Sequence, residues 1–169
     1  MRRTIFFSVM TNLSKILSPE NVLLDLEVSS KKRAFEQAGL IFENNCGIAR
    51  STVSENLFAR ERLGSTGLGH GVAVPHGRIK GMKSLKSPLA AFVRLADGIP
   101  FESPDGKPVN LLFFLLIPDQ VTQQHLEILS EIAEMFSDEA LRAALLSDPD
   151  PKSVHALIVN WQPSLQTAG

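Results

Sequence analysis

The chain has 169 residues, enough for one domain with a substantial core. Seventeen Lys and Arg against 18 Asp and Glu give a formal charge of −1, which supplies no electrostatic reason for nucleic acid or an anionic membrane as principal partner. The single cysteine, Cys46, excludes an intramolecular disulfide and a cysteine-based zinc cluster and fits a reducing cytoplasm.

The first apolar stretch, Ile5 to Met10, is shorter than the roughly 7 to 15 residues of a signal-peptide core, so residues 1–11 are read as a disordered extension, with Met10 as an alternative start. No run approaches the roughly 20 apolar residues of a membrane helix; the longest, Leu111 to Ile117, is strand-sized. Ser29 and Ser30 can cap a helix over 31–45 whose Ala34, Phe35, Ala38, Ile41 and Phe42 share one face, and Gly47 ends it. Cys46, following that apolar run, reads as a buried, inert thiol. A second helix over 52–63 buries Val53 and Leu57, and its stripe carries Arg60 inward. An inward arginine suits a phosphate or carboxylate; an exposed one, or a pair with Glu55 or Glu61, is the alternative.

A glycine run follows, with Gly64, Gly67, Gly69 and Gly71 around Ser65, Thr66, Leu68 and His70. Such glycines permit positive φ and a close approach of N–H groups to an oxyanion, although they also suit a plain surface loop. The run lacks the Gly-Lys-Ser/Thr ending of a nucleotide loop. Residues 72–74 read as a short buried strand that Pro75 ends, presenting His76 at its terminus.

Segments 89–95 and 109–117 read as strands, the second central because it is apolar on both faces. Asp97-Gly98, Pro100, Ser103-Pro104-Asp105-Gly106 and Pro108 between them read as turns with a short edge strand at most. After Pro118-Asp119, a helix over 122–136 carries His125, Leu129, Ile132, Ala133 and Phe136 on one face. His125 then sits in the first turn, where helix N–H groups favour an anion; a hydrogen-bonded core histidine is the alternative. Helices over 138–146 and 152–160 show packing faces only, and His155 is placed at the surface or rim.

Both His76 and His125 follow strands, so adjacent strands would bring the imidazoles together beside Arg60. That set suits phosphoryl transfer through a neutral imidazole, with fixed donors for the incoming charge. No carboxylate-rich magnesium site is visible, which disfavours ATP as direct donor. A metal-dependent hydrolase using His70, His76 and His125 lacks both a familiar zinc spacing and an acidic ligand.

Ala59-Arg60-Glu61-Arg62, Gly64-Ser65-Thr66-Gly67-Leu68-Gly69 and Val74-Pro75-His76-Gly77-Arg78, with Thr122-Gln123-Gln124-His125-Leu126 and Leu129-Ser130, resemble the enzyme IIA proteins of the bacterial phosphotransferase system. The resemblance spans about residues 12–160, leaving 161–169 as a tail, and is to the mannitol/fructose type, in particular its nitrogen-regulatory branch. It implies a single α/β domain, a mixed sheet flanked by helices on both faces. It also implies a phosphohistidine carrier working in the cytoplasm, with His76 as phosphoacceptor, charged by an HPr-like carrier that is itself loaded from phosphoenolpyruvate through enzyme I. His125 would support it, Arg60 would face the phosphate, and Ser65, Thr66 and Gly67 would line the pocket. No cofactor or metal is implied.

One departure is His70, where the family usually carries asparagine; the change is either neutral or tunes the pocket or a partner surface. A lone IIA domain favours a signalling role, with potassium transport or sensor-kinase systems as regulated partners. The alternatives are a sugar-specific IIA passing phosphate to a IIB domain, and a binding module that has lost transfer.

Overall fold

The computed structural model describes residues 13–80, 85, 87–119 and 123–163. The expected disorder of 1–11 and most of the 161–169 tail therefore lie outside the described residues. Residues 13–16 are helical. The strands are β1 (Leu17–Leu26), β2 (Gly67–Gly69), β3 (Val72–Ala73), β4 (His76–Ile79), β5 (Leu89–Ile99) and β6 (Val109–Pro118). The helices are α1 (Lys31–Cys46), α2 (Arg50–Glu61), α3 (Gln123–Phe136), α4 (Glu139–Ser147) and α5 (Pro151–Val159).

The strands form one mixed sheet in the order β1-β5-β6-β3-β2, with β4 also on β6. β5 and β6 are antiparallel, whereas β1 runs parallel to β5, and both β3 and β4 run parallel to β6. The almost uniformly apolar β6 is central because its two faces feed two cores. Leu111, Phe113, Leu115 and Ile117 pack with Ile128, Ile132, Met135 and Phe136 of α3, Leu145 of α4 and Val154 of α5. Leu112, Phe114 and Leu116 pack with Phe35, Ala38 and Phe42 of α1 and Leu57 of α2. Helices therefore cover both faces, as expected.

Local chemistry sets the helix ends. Ser30 accepts from the Arg33 N–H at 3.2 Å, and Gly47, at φ +73°, closes α1 by donating to Glu43. Asp138 and Asp150 cap α4 and α5. Among the described residues no helix is long and apolar enough to cross a membrane.

Several expectations change. β1 adds an edge strand that the sequence reading did not assign, and β5 continues through Asp97-Gly98 rather than turning there. The buried face of α3 uses Ile128 and Met135 and leaves Ala133 exposed. Cys46 is half-buried, with the Asn21 amide 3.7 Å from its sulfur. His155 is half-buried, not a rim residue: its Nε2 lies 2.8 Å from the Leu17 carbonyl, so it donates there and ties α5 to β1.

Candidate functional site

Pro75 has no N–H, yet it does not end the pairing. Its carbonyl accepts from the Leu115 N–H at 2.9 Å, and the chain resumes along β6 as β4, with His76 opposite Leu115. His76 therefore opens a strand instead of closing one. The glycine at 77 is required by packing: a Cβ there would lie 2.8 Å from the Asn56 carbonyl oxygen, so α2 rides directly on the β4 backbone.

The His76 Nδ1 lies 2.9 Å from the Val74 carbonyl. A carbonyl only accepts, so Nδ1 carries the proton and donates, which leaves the lone pair on Nε2. Burial pushes the ring below the ordinary histidine value; the Val74 contact opposes this, nearby Arg60 adds to it and Glu61 offsets part. The result is a neutral imidazole of one tautomer.

Arg60 is half-buried near the end of α2 and does not point into the core. Its Nη1 donates to the Gly64 carbonyl at 2.8 Å, bracing the turn that follows the helix. The buried acid is its neighbour, Glu61, which accepts from Lys31 Nζ at 3.0 Å, from the Thr66 N–H at 3.0 Å and from the Thr66 hydroxyl at 2.6 Å. Thr66 is thereby committed inside the protein. The Ser65 hydroxyl donates to the Phe101 carbonyl at 2.7 Å and accepts from the Gly67 N–H, while Gly67 packs against Ser103.

The glycine run is a hairpin rather than a plain surface loop. β2 and β3 pair antiparallel, and the linking His70 and Gly71 have φ of +58° and +81°, as a primed turn requires. The His70 N–H donates to Asp105 at 2.8 Å, and its side chain is exposed. Asparagine, which the sequence resemblance leads one to expect here, is favoured in this left-handed conformation, so the backbone gives a reason for that expectation.

A cleft of about 250 Å³ brings together Arg60 from α2, His76, Gly77 and Arg78 from β4, Ile117 from β6, and His125, Leu126 and Leu129 from α3. Three residues singled out in the sequence, Arg60, His76 and His125, share it; Ser65, Thr66 and Gly67 are not in its lining. His125 is buried in the first turn of α3, and burial holds it below the ordinary value. Arg78 is not marked out by sequence as long as Pro75 is taken to end the strand. A strand resumed at His76 would have put residue 78 on the same side by alternation. Among the described residues no group of three His, Cys, Asp or Glu side chains is placed to hold a metal ion. A basic cleft around a neutral imidazole can accept an anionic group on nitrogen.

Residues 15–161 match the family model described as "Phosphoenolpyruvate-dependent sugar phosphotransferase system, EIIA 2". A nitrogen regulatory protein of Pseudomonas aeruginosa is 40% identical over 154 residues, which is 90% of this chain and 98% of that protein. The crystal structure of the nitrogen regulatory protein IIA-Ntr from Neisseria meningitidis superposes with a TM-score of 0.79 at 46% identity, covering 85% of this chain and 97% of that one. The mannitol IIA of Escherichia coli shares the fold, with a TM-score of 0.69 at 20% identity over 83% of this chain and 97% of its own. The chain thus belongs to the EIIA type-2 family of the phosphoenolpyruvate-dependent phosphotransferase system, in its nitrogen regulatory branch.

Proposed function

We propose that this protein is a phosphohistidine carrier whose phosphorylation state is a signal, and that His76 Nε2 is the acceptor atom. The single observation that carries this reading is the Val74 carbonyl on Nδ1, which makes Nε2 the nucleophile in a half-buried, cation-lined cleft. In the transfer, the Nε2 lone pair forms a new P–N bond as the P–N bond of a phosphohistidine on an HPr-like donor breaks, and the donor imidazole recovers its lone pair. The Nδ1 proton stays on Val74. Arg60 offers its guanidinium to the phosphoryl oxygens, and His125 donates from the helix N-terminus. Ser65, Thr66 and Gly67 serve indirectly, holding the hairpin and turn against which Arg60 is braced.

The added group carries close to two negative charges, enough to change which protein docks over the cleft. The nitrogen regulatory relatives support signalling, with potassium transport or sensor-kinase systems as the regulated partners and the cytoplasm as the setting. The test is intact-mass measurement of wild type and His76→Ala after incubation with phosphoenolpyruvate, enzyme I and an HPr-like carrier at alkaline pH. One phosphate on wild type alone is expected; none on wild type, with a carrier shown to be charged, overturns the reading and leaves a binding module. A gene deletion that abolishes growth on a single sugar would make the protein a sugar-specific IIA instead.

A further inference from the structure

β4 is pleated so that alternate side chains leave opposite faces. Gly77 and Ile79 are buried on the α2 side, Gly77 against Asn56 and Ile79 in the core with Leu57. His76 and Arg78 therefore share the other face, and both line the cleft. Residues two apart on a parallel strand are separated by about 6.6 Å, a spacing that an extended arginine bridges to reach a group on the neighbouring imidazole.

The charge on Arg78 is uncommitted. Arg94 is locked to Asp25, Arg50 to Glu43, Arg33 to Glu36 and Lys31 to Glu61, and Arg60 is engaged with the Gly64 carbonyl. Arg78 is exposed at the cleft and has no hydrogen-bond or ion-pair partner among the described residues. A phosphoryl group brings close to two negative charges, and Arg60 alone neutralises one. The guanidinium fork suits phosphoryl oxygens, which accept two parallel N–H bonds.

We infer that Arg78 binds the phosphoryl group on His76 as a second cationic contact alongside Arg60. The inference rests on His76 being the phosphoacceptor, and it assigns a role to a residue beyond the Arg60, His76 and His125 set.

The test uses the full-length chain with the phosphorylated HPr-like carrier and compares wild type, Arg78→Ala and Arg78→Lys. Two quantities are read: the equilibrium constant for phosphoryl exchange between the two free proteins, and the forward rate. Docking contacts exist only in the complex and cancel from the equilibrium between separated proteins, whereas a bond to the phosphoryl group does not. Arg78→Ala should lower the equilibrium constant about tenfold, a typical loss for a charge-assisted hydrogen bond, and Arg78→Lys should restore part of it. The side chain is exposed, so an unchanged melting curve should accompany the loss.

An unchanged equilibrium constant with a slower rate would assign Arg78 to partner docking and overturn the inference. Unchanged equilibrium and rate would overturn it too. Failure of wild type to accept phosphate from a charged carrier would instead strike the underlying reading of His76.

Discussion

At the scale of single residues, the site depends on which nitrogen of His76 holds the proton. The Val74 carbonyl fixes that choice, and burial keeps the ring neutral by lowering its proton affinity. Because the native ring titrates below the ordinary value of 6.5, phosphoryl acceptance should be lost on acidification with a midpoint below 6.5. Initial rates from a charged carrier check this; a midpoint at or above 6.5 would contradict it. The same depression makes a stability statement: between the native value and 6.5 the unfolded chain binds more protons than the native one, so native stability is retained above 6.5 and lost as pH falls through that window. His76→Gln should therefore flatten the urea midpoint on the acid side relative to wild type. His70 is a residue of backbone consequence rather than of chemistry. At φ +58° a β-branched side chain is strained, so His70→Val should cost about 1 to 2 kcal/mol in urea unfolding. Phosphorylation of the folded fraction should persist, because the His70 side chain is not in the lining of the cleft.

At the scale of elements, the approach of α2 to β4 at Gly77 delivers Arg60 beside His76. Gly77→Ala puts a methyl 2.8 Å from the Asn56 carbonyl oxygen and 2.9 Å from its carbon, a clash with backbone that no rotamer relieves. The elements must separate, which should cost about 2 to 3 kcal/mol in urea unfolding and slow acceptance by the folded protein. A variant as stable and as fast as wild type would contradict this packing. The same junction shows what the sequence could and could not reveal. α1 and β6 were legible, the first from its cap, periodicity and terminal glycine, the second from the apolar run Leu111 to Ile117. β4 was hidden because Pro75 and Gly77 look like breakers, yet Pro75 contributes its carbonyl to the ladder and Gly77 makes room for a helix. β1 was hidden because Pro19, Glu20 and Asn21 interrupt its pattern, and the strand accommodates them with a register shift between Leu17 and Val22. His76, Arg60 and His125 stood out by residue type and position. The commitment of Thr66 to Glu61 did not, since it links a helix end to a hairpin by a hydrogen bond that spacing does not encode.

At the scale of the whole molecule, the two cores have separate tasks. The core under α1 and α2 holds the Arg60 end of α2 against β4, and the core under α3, α4 and α5 presents the His125 end of α3 to the same cleft. β6 lies between them, so the site's parts come from both sides of one sheet. Arg94, buried on β5, fastens this frame at the far edge by pairing with Asp25 at 3.1 Å and donating to the Leu145 and Asp148 carbonyls at the end of α4. The frame predicts one reactive nitrogen among the four histidines of the chain. The most direct test is a proton–nitrogen NMR spectrum of protein labelled with nitrogen-15 histidine, recorded before and after phosphorylation, in which all the imidazoles are read together. Phosphorus coupling on His76 Nε2 alone, with the proton retained on its Nδ1, is the predicted result. Coupling on His76 Nδ1, or on His70, His125 or His155, would contradict the account.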